Sequence, residues 1–141
     1  MTKFARNASM AASIAVLAGT LAFFAGPAHA AKVSATISLA GQSGLAAAPH
    51  AGGTVSFAVS ATAVKQSDLY YLWVANLCYQ NGNLVSAKYL PVQNPGPNGL
   101  AGSFSLDWSG GGAAQCTAYV WMFPQSSTPL KGALMTYTVS A

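Results

Sequence analysis

Tyr70-Tyr71-Leu72-Trp73-Val74-Ala75-Asn76-Leu77-Cys78-Tyr79-Gln80-Asn81-Gly82-Asn83-Leu84-Val85-Ser86-Ala87-Lys88-Tyr89-Leu90-Pro91-Val92 is the stretch that decides the fold. Tyr70 to Gln80 is apolar on both faces and too rich in aromatic and aliphatic residues for a loop, so it reads as a strand. Asn81-Gly82 is the strongest two-residue hairpin signal, because both residues tolerate positive φ. Asn83 to Val92 then returns as the partner strand. A two-residue turn sets 80 opposite 83, and continued pairing predicts Ser86 opposite Leu77 and Lys88 opposite Ala75.

Working outward, further strands follow. Val33–Leu39 and Val55–Ser60 alternate with period two, the pattern of half-buried strands. Ser103–Trp108 alternates again, Gln115–Phe123 is an apolar strand, and Leu134–Ser140 is the last. Loops fall at Gly41–Gly53, Lys65–Asp68, Asn94–Gly99, Gly110–Gly112 and Pro124–Pro129. About seven strands with turn signals every 8–12 residues predict an all-β, antiparallel immunoglobulin-like sandwich. A small barrel is the second choice.

The hairpin also assigns faces, since cross-strand partners share one. If Ser86 and Lys88 are wet, Tyr71, Trp73, Ala75, Leu77 and Tyr79 face outward. Leu72, Val74, Asn76 and Cys78 then face inward, matched by Val85, Ala87 and Tyr89. Cys78 ends one strand and Cys116 begins another that a sandwich makes its antiparallel neighbour, so a disulfide within one sheet is expected; two buried thiols are the alternative. Through that pair, Cys116, Ala118, Val120 and Met122 face inward, and Thr117, Tyr119, Trp121 and Phe123 outward. The candidate binding residues are therefore Trp73, Tyr79, Tyr119 and Trp121, with Lys88 beside them, because contiguous exposed aromatics mark interaction sites. A one-residue slip would exchange the faces and make the same aromatics core. A buried Asn76 would also need a hydrogen-bond partner.

The stretch Cys78-Tyr79-Gln80-Asn81-Gly82, the Trp108 before Gly110-Gly111-Gly112, and Cys116-Thr117-Ala118 together resemble a known group. They are similar to small immunoglobulin-like sandwich domains of exported or phage-encoded proteins from Gram-positive bacteria, over roughly residues 53–141. The resemblance implies the fold and the disulfide, and it brings no activity and no site residue.

Catalytic chemistry is poorly provided for. Beyond the leader described below there are one histidine, His50, and two acids, Asp68 and Asp107. No G-x-S-x-G elbow is present. The glycine triplet lacks the Lys and Ser or Thr of a phosphate loop. With both cysteines paired, the three or four ligands of a zinc site cannot be assembled. Asp68 precedes one strand and Asp107 ends another, so nothing pairs them for glycoside cleavage. No catalytic residue, metal or cofactor is expected.

The amino terminus carries a compartment signal. Lys3 and Arg6 precede an apolar run from Met10 to Ala25, Gly26-Pro27 breaks it, and Ala28-His29-Ala30 supplies small residues for a signal peptidase. The run falls short of the roughly 20 residues of a membrane span. Residues 1–30 are thus expected to be a signal peptide, and residues 31–141 one secreted or cell-surface domain near the commonest domain size. Removing Lys3 and Arg6 lowers the formal net charge from +4 to +2. The remaining lysines, at 32, 65, 88 and 131, are scattered, which argues against nucleic acid. The expectation is an exported non-enzymatic module that binds a protein, a glycan or itself through the aromatic face. The alternatives are a self-assembling surface protein and a carrier of small hydrophobic ligands.

Overall fold

Period-two alternation becomes burial in the strand that starts at Thr54. Val55, Phe57, Val59 and Ala61 are buried, while Thr54, Ser60 and Thr62 at the alternate positions are exposed. The computed structural model of this chain describes residues 33–41, 48–123 and 126–141. These residues form seven strands: β1 (Val33–Leu39), β2 (Thr54–Ala63), β3 (Leu72–Gln80), β4 (Asn83–Pro91), β5 (Gly99–Ser105), β6 (Ala114–Met122) and β7 (Leu134–Val139). All neighbours pair antiparallel, in one sheet ordered β1-β2-β5 and another ordered β4-β3-β6-β7. The molecule is the expected immunoglobulin-like sandwich. The proposed leader lies outside the described residues.

The core fills the space between the sheets. Phe57 and Phe104 meet edge to face with centroids 5.3 Å apart, and Phe57 also meets Tyr137 at 5.9 Å. From the other sheet come Leu72, Val74, Val120 and Met122, all essentially without exposed surface. Inward Cys78 and Cys116 form a disulfide across the β3–β6 pair, with Cα atoms 4.1 Å apart. That pair is a non-hydrogen-bonded one, the closer of the two antiparallel pair types. In the chain-entropy description a loop of this length stabilises by about 4 kcal/mol.

Three expectations are corrected. β3 begins at Leu72, because Gln66–Tyr71 winds into a 3-10 helix that buries Leu69 and Asp68 where a loop was expected at Lys65–Asp68. The fifth strand starts earlier and ends earlier than expected, at Gly99 and Ser105, so Asp107 lies past its end. The third correction concerns register. Gln80 pairs with Asn83 and Tyr79 with Leu84, but Cys78 then pairs with Ser86. Val85 is the extra residue of a β-bulge, and a bulge shifts all later partners by one. Ser86 therefore sits opposite Cys78 and not Leu77, and Lys88 opposite Asn76 and not Ala75. Ala87 and Tyr89, expected inside, are opposite Leu77 and Ala75 and face outward.

Buried Asn76 finds its partner inside. The Tyr137 hydroxyl donates to its Oδ1 at 2.9 Å. Burial holds the Tyr137 phenol neutral and pushes its pKa up to about 12, against a smaller opposing effect of the Asn76 bond.

The aromatic sheet face as candidate functional site

The two sheets present different outer faces. On the β1-β2-β5 sheet that face carries Ser34, Thr36, Ser38, Ser60 and Thr62, with Leu100 exposed beside Ala58. On the other sheet the rows across β4, β3, β6 and β7 read differently. Tyr89, Ala75, Tyr119 and Leu134 form one row, and Pro91, Trp73 and Trp121 the next. Phe123 follows Met122 at the end of β6.

The rings of this face form a connected cluster. Trp121 is its centre, with centroids 5.7 Å from Tyr89, 6.3 Å from Tyr119 and 5.8 Å from Phe123. Phe123 lies 5.2 Å from Trp73. These separations and tilts are those that ring quadrupoles favour. Ala75, flanked by Tyr89 and Tyr119, has no exposed surface, yet Tyr89, Phe123 and Leu134 remain 44%, 46% and 54% exposed. Burial, with smaller contributions from nearby Tyr89 and Tyr79, raises the Tyr119 pKa above its ordinary value. The Trp121 Nε1 is buried and has no hydrogen-bond partner among the described residues. Ring packing against Tyr89, Tyr119 and Phe123 holds this indole in place.

Four of the five residues singled out in the sequence, Trp73, Tyr79, Tyr119 and Trp121, do share this face. Tyr79 stands apart from the ring cluster, at the hairpin end. There it lines an open cleft of about 320 Å³ with Gln80, Asn81, Gln115 and Thr138. Lys88 does not join the face. The bulge turns it inward, where its Nζ donates to the Ser105 carbonyl at 2.9 Å and also meets Ser105 Oγ and Asp107 Oδ1. It ties the edge of one sheet to the edge of the other. Hydrogen bonds from Lys88 and Ser105 hold the Asp107 carboxyl at about 2, well below the usual carboxylate range. Sequence reasoning missed Tyr89 because the bulge carries no turn residue to announce it.

No family model and no curated protein matches the chain. Among solved structures the chain is similar to the CARDB domain of a Pyrococcus furiosus protein, a crystal structure in complex with di-metal ions. The identity is 14%, over 77% of this chain and 93% of that one, with a TM-score of 0.39. That likeness carries no argument about metals or partners here. The resemblance to Gram-positive and phage proteins finds no support in these comparisons beyond the fold class.

Other chemistry stays dispersed. His50 is exposed and bridges to Ser140 beside β7. Among the described residues no three His, Cys, Asp or Glu side chains come together as a metal site. No helix among them is long and apolar enough to cross a membrane.

Proposed function

We propose that this chain is an exported, non-enzymatic immunoglobulin-like module that binds a partner through the aromatic face of its β4-β3-β6-β7 sheet. The observation that carries the proposal is the charge-free cluster of Trp73, Tyr89, Tyr119, Trp121 and Phe123 on one sheet. Large apolar patches of this kind on a sandwich surface are interaction sites, and Trp and Tyr are their usual anchors. Export is supported by the Lys3–Ala30 leader pattern and agrees with a chain whose two cysteines are joined.

The rings are tilted or edge-on to one another, by 33° to 86°, and do not form a flat platform. Such relief fits the side chains of a protein surface better than a planar sugar stack. The test compares wild type with Trp121→Ser on immobilised extracts of cell-surface proteins and on a glycan array. Binding to a protein band that the variant loses supports the reading. Equal binding by both forms would remove the aromatic face from it.

A further inference from the structure

The two ends of the sandwich expose different chemistry. One end holds the Asn81-Gly82 turn, the Gly110–Gly112 link that Gln80 fastens, and Asp107 past the end of β5. The other end holds the connection from β2 to β3. Val64 follows the last residue of β2 and is 79% exposed. The 3-10 helix Gln66–Tyr71 then turns Leu69 inward and leaves Tyr70 72% exposed, with Tyr71 partly exposed beside it. Phe123 follows β6 and donates its N–H to the Tyr71 carbonyl at 2.8 Å, so this exposed aromatic residue adjoins the same turn. Apolar character falls away from this end along the outer face of the four-stranded sheet. Beyond Tyr71 and Phe123 come Pro91, Trp73 and Trp121, whereas the last row before the hairpin is Tyr79, Gln115 and Thr138.

Charge is divided along the same axis. The chain has two acids. Asp68 is buried, and Asp107 lies at the hairpin end in its ion pair with Lys88. Lys65 leads into the 3-10 helix and is exposed beside Val64. Lys131 is exposed in the turn before β7. The Leu130 N–H donates to the Val120 carbonyl at 2.8 Å and the Ala133 carbonyl accepts from the Val120 N–H at 2.9 Å, which sets that turn near the end of β6. Lysines that are scattered in the chain are thus gathered by the fold. Among the described residues, the two without an acid partner lie toward one end, and no exposed acid accompanies them.

We infer that this end of the sandwich docks on an anionic lipid surface, with Val64, Tyr70, Tyr71 and Phe123 in the headgroup layer and Lys65 and Lys131 against lipid phosphates. Side chains exposed to this degree stand out from a convex turn. A folded protein would have to supply a pocket for each of them, whereas a fluid interface admits them all. Tyrosine suits that layer because its ring is apolar and its hydroxyl polar. The lysines supply the complementary charge, and an exposed carboxylate that would oppose it is lacking. Docking of this kind is attachment at the interface and needs no spanning helix. It stands apart from partner binding by the rings around Trp121. The two surfaces share Phe123, so that residue is left unchanged in the test.

The test uses the exported, disulfide-bonded protein in co-sedimentation with phosphatidylcholine vesicles, with and without phosphatidylglycerol. Binding should require the anionic lipid and weaken as salt is raised. Lys65→Gln and Lys131→Gln should each lower it about fivefold, which corresponds to about 1 kcal/mol. Tyr70→Ser should lower it with little change in melting temperature, as for other surface substitutions. Should that change unfold the turn, Val64→Ser serves in its place. Spin-labelled lipid should broaden the amide signals of Val64, Tyr70 and Phe123 and spare those of Asn81 and Asp107. Trp121→Ser should keep vesicle binding while weakening partner binding, so the two readings fail separately. Failure to bind the anionic vesicles would overturn the inference. So would binding that is indifferent to phosphatidylglycerol or to these substitutions at 64, 65, 70 and 131, and so would broadening centred on Asn81. Capture of an acidic protein by this end, without vesicle binding, would overturn it in favour of a protein surface.

Discussion

Asn76 shows how one residue carries several decisions. Its amide is inside the sandwich, opposite Lys88 on one side and Ala118 on the other, and among the described residues the Tyr137 hydroxyl alone satisfies its oxygen. Tyr137→Phe should therefore cost about 1–3 kcal/mol in urea denaturation, the range for a buried acceptor left unpaired. Tyr137 is the second residue to test, through pH. Its pKa is raised in the folded state to about 12, so its contribution to stability is complete below pH 10 and is lost as pH rises from there toward 12. Asp107 works in the opposite sense. Its folded pKa is depressed from 3.8 to about 2, so its contribution is present above about pH 4 and disappears as pH falls toward 2. The stability difference between wild type and Asp107→Asn should accordingly narrow over that acid window, and carbon-detected NMR of the Asp107 carboxyl should titrate near 2.

At the scale of elements, β6 separates the two sides of the sheet most sharply. Val120 has no exposed surface and faces the core, while Trp121 next to it lies in the outer ring cluster. Val120→Ser puts a hydroxyl into a packed interior and should lower the thermal midpoint well below that of wild type. Trp121→Ser loses ring contacts with three neighbours but leaves no inner cavity, so its midpoint should fall less than that of Val120→Ser. Comparing the two melts checks the orientation of the sheet before any partner is known. In the hairpin, Asn81 and Gly82 both hold positive φ, 49° and 81°. Gly82→Ala should cost about 1–2 kcal/mol, the penalty for a side chain in the left-handed region, although nothing lies within reach of the added methyl. The hairpin was legible because its turn residues are diagnostic. The bulge at Val85 was not, because it is a compromise between turn geometry and inter-sheet packing that Leu84-Val85-Ser86 does not announce.

For the whole molecule, the consequence of the disulfide is global because it links strands that lie far apart in the chain. Reduction should lower stability by about 4 kcal/mol at most, read as a shift of the urea midpoint without a change of fold. Amino-terminal sequencing of exported protein should begin at Ala31; an intact Met1 would remove the compartment argument. The class of fold, the location of most strands and the expected cysteine pair were legible in the sequence. Those follow from local periodicity, from turn chemistry and from the rule that antiparallel partners share a face. Even so, the outward side of β3 was inferred from a pairing, Lys88 with Ala75, that the bulge abolishes. Trp73, Ala75 and Tyr79 do face outward, but Ser86 and Lys88 lie opposite the inward Cys78 and Asn76, so the sequence had left this side undecided. What only the tertiary structure decided were contacts between segments distant in sequence. They are the inward turn of Lys88 to Ser105 and Asp107, the pairing of Asn76 with Tyr137, and the burial of Asp68. Each depends on where a second element sits in space, and local patterning is silent on that distance.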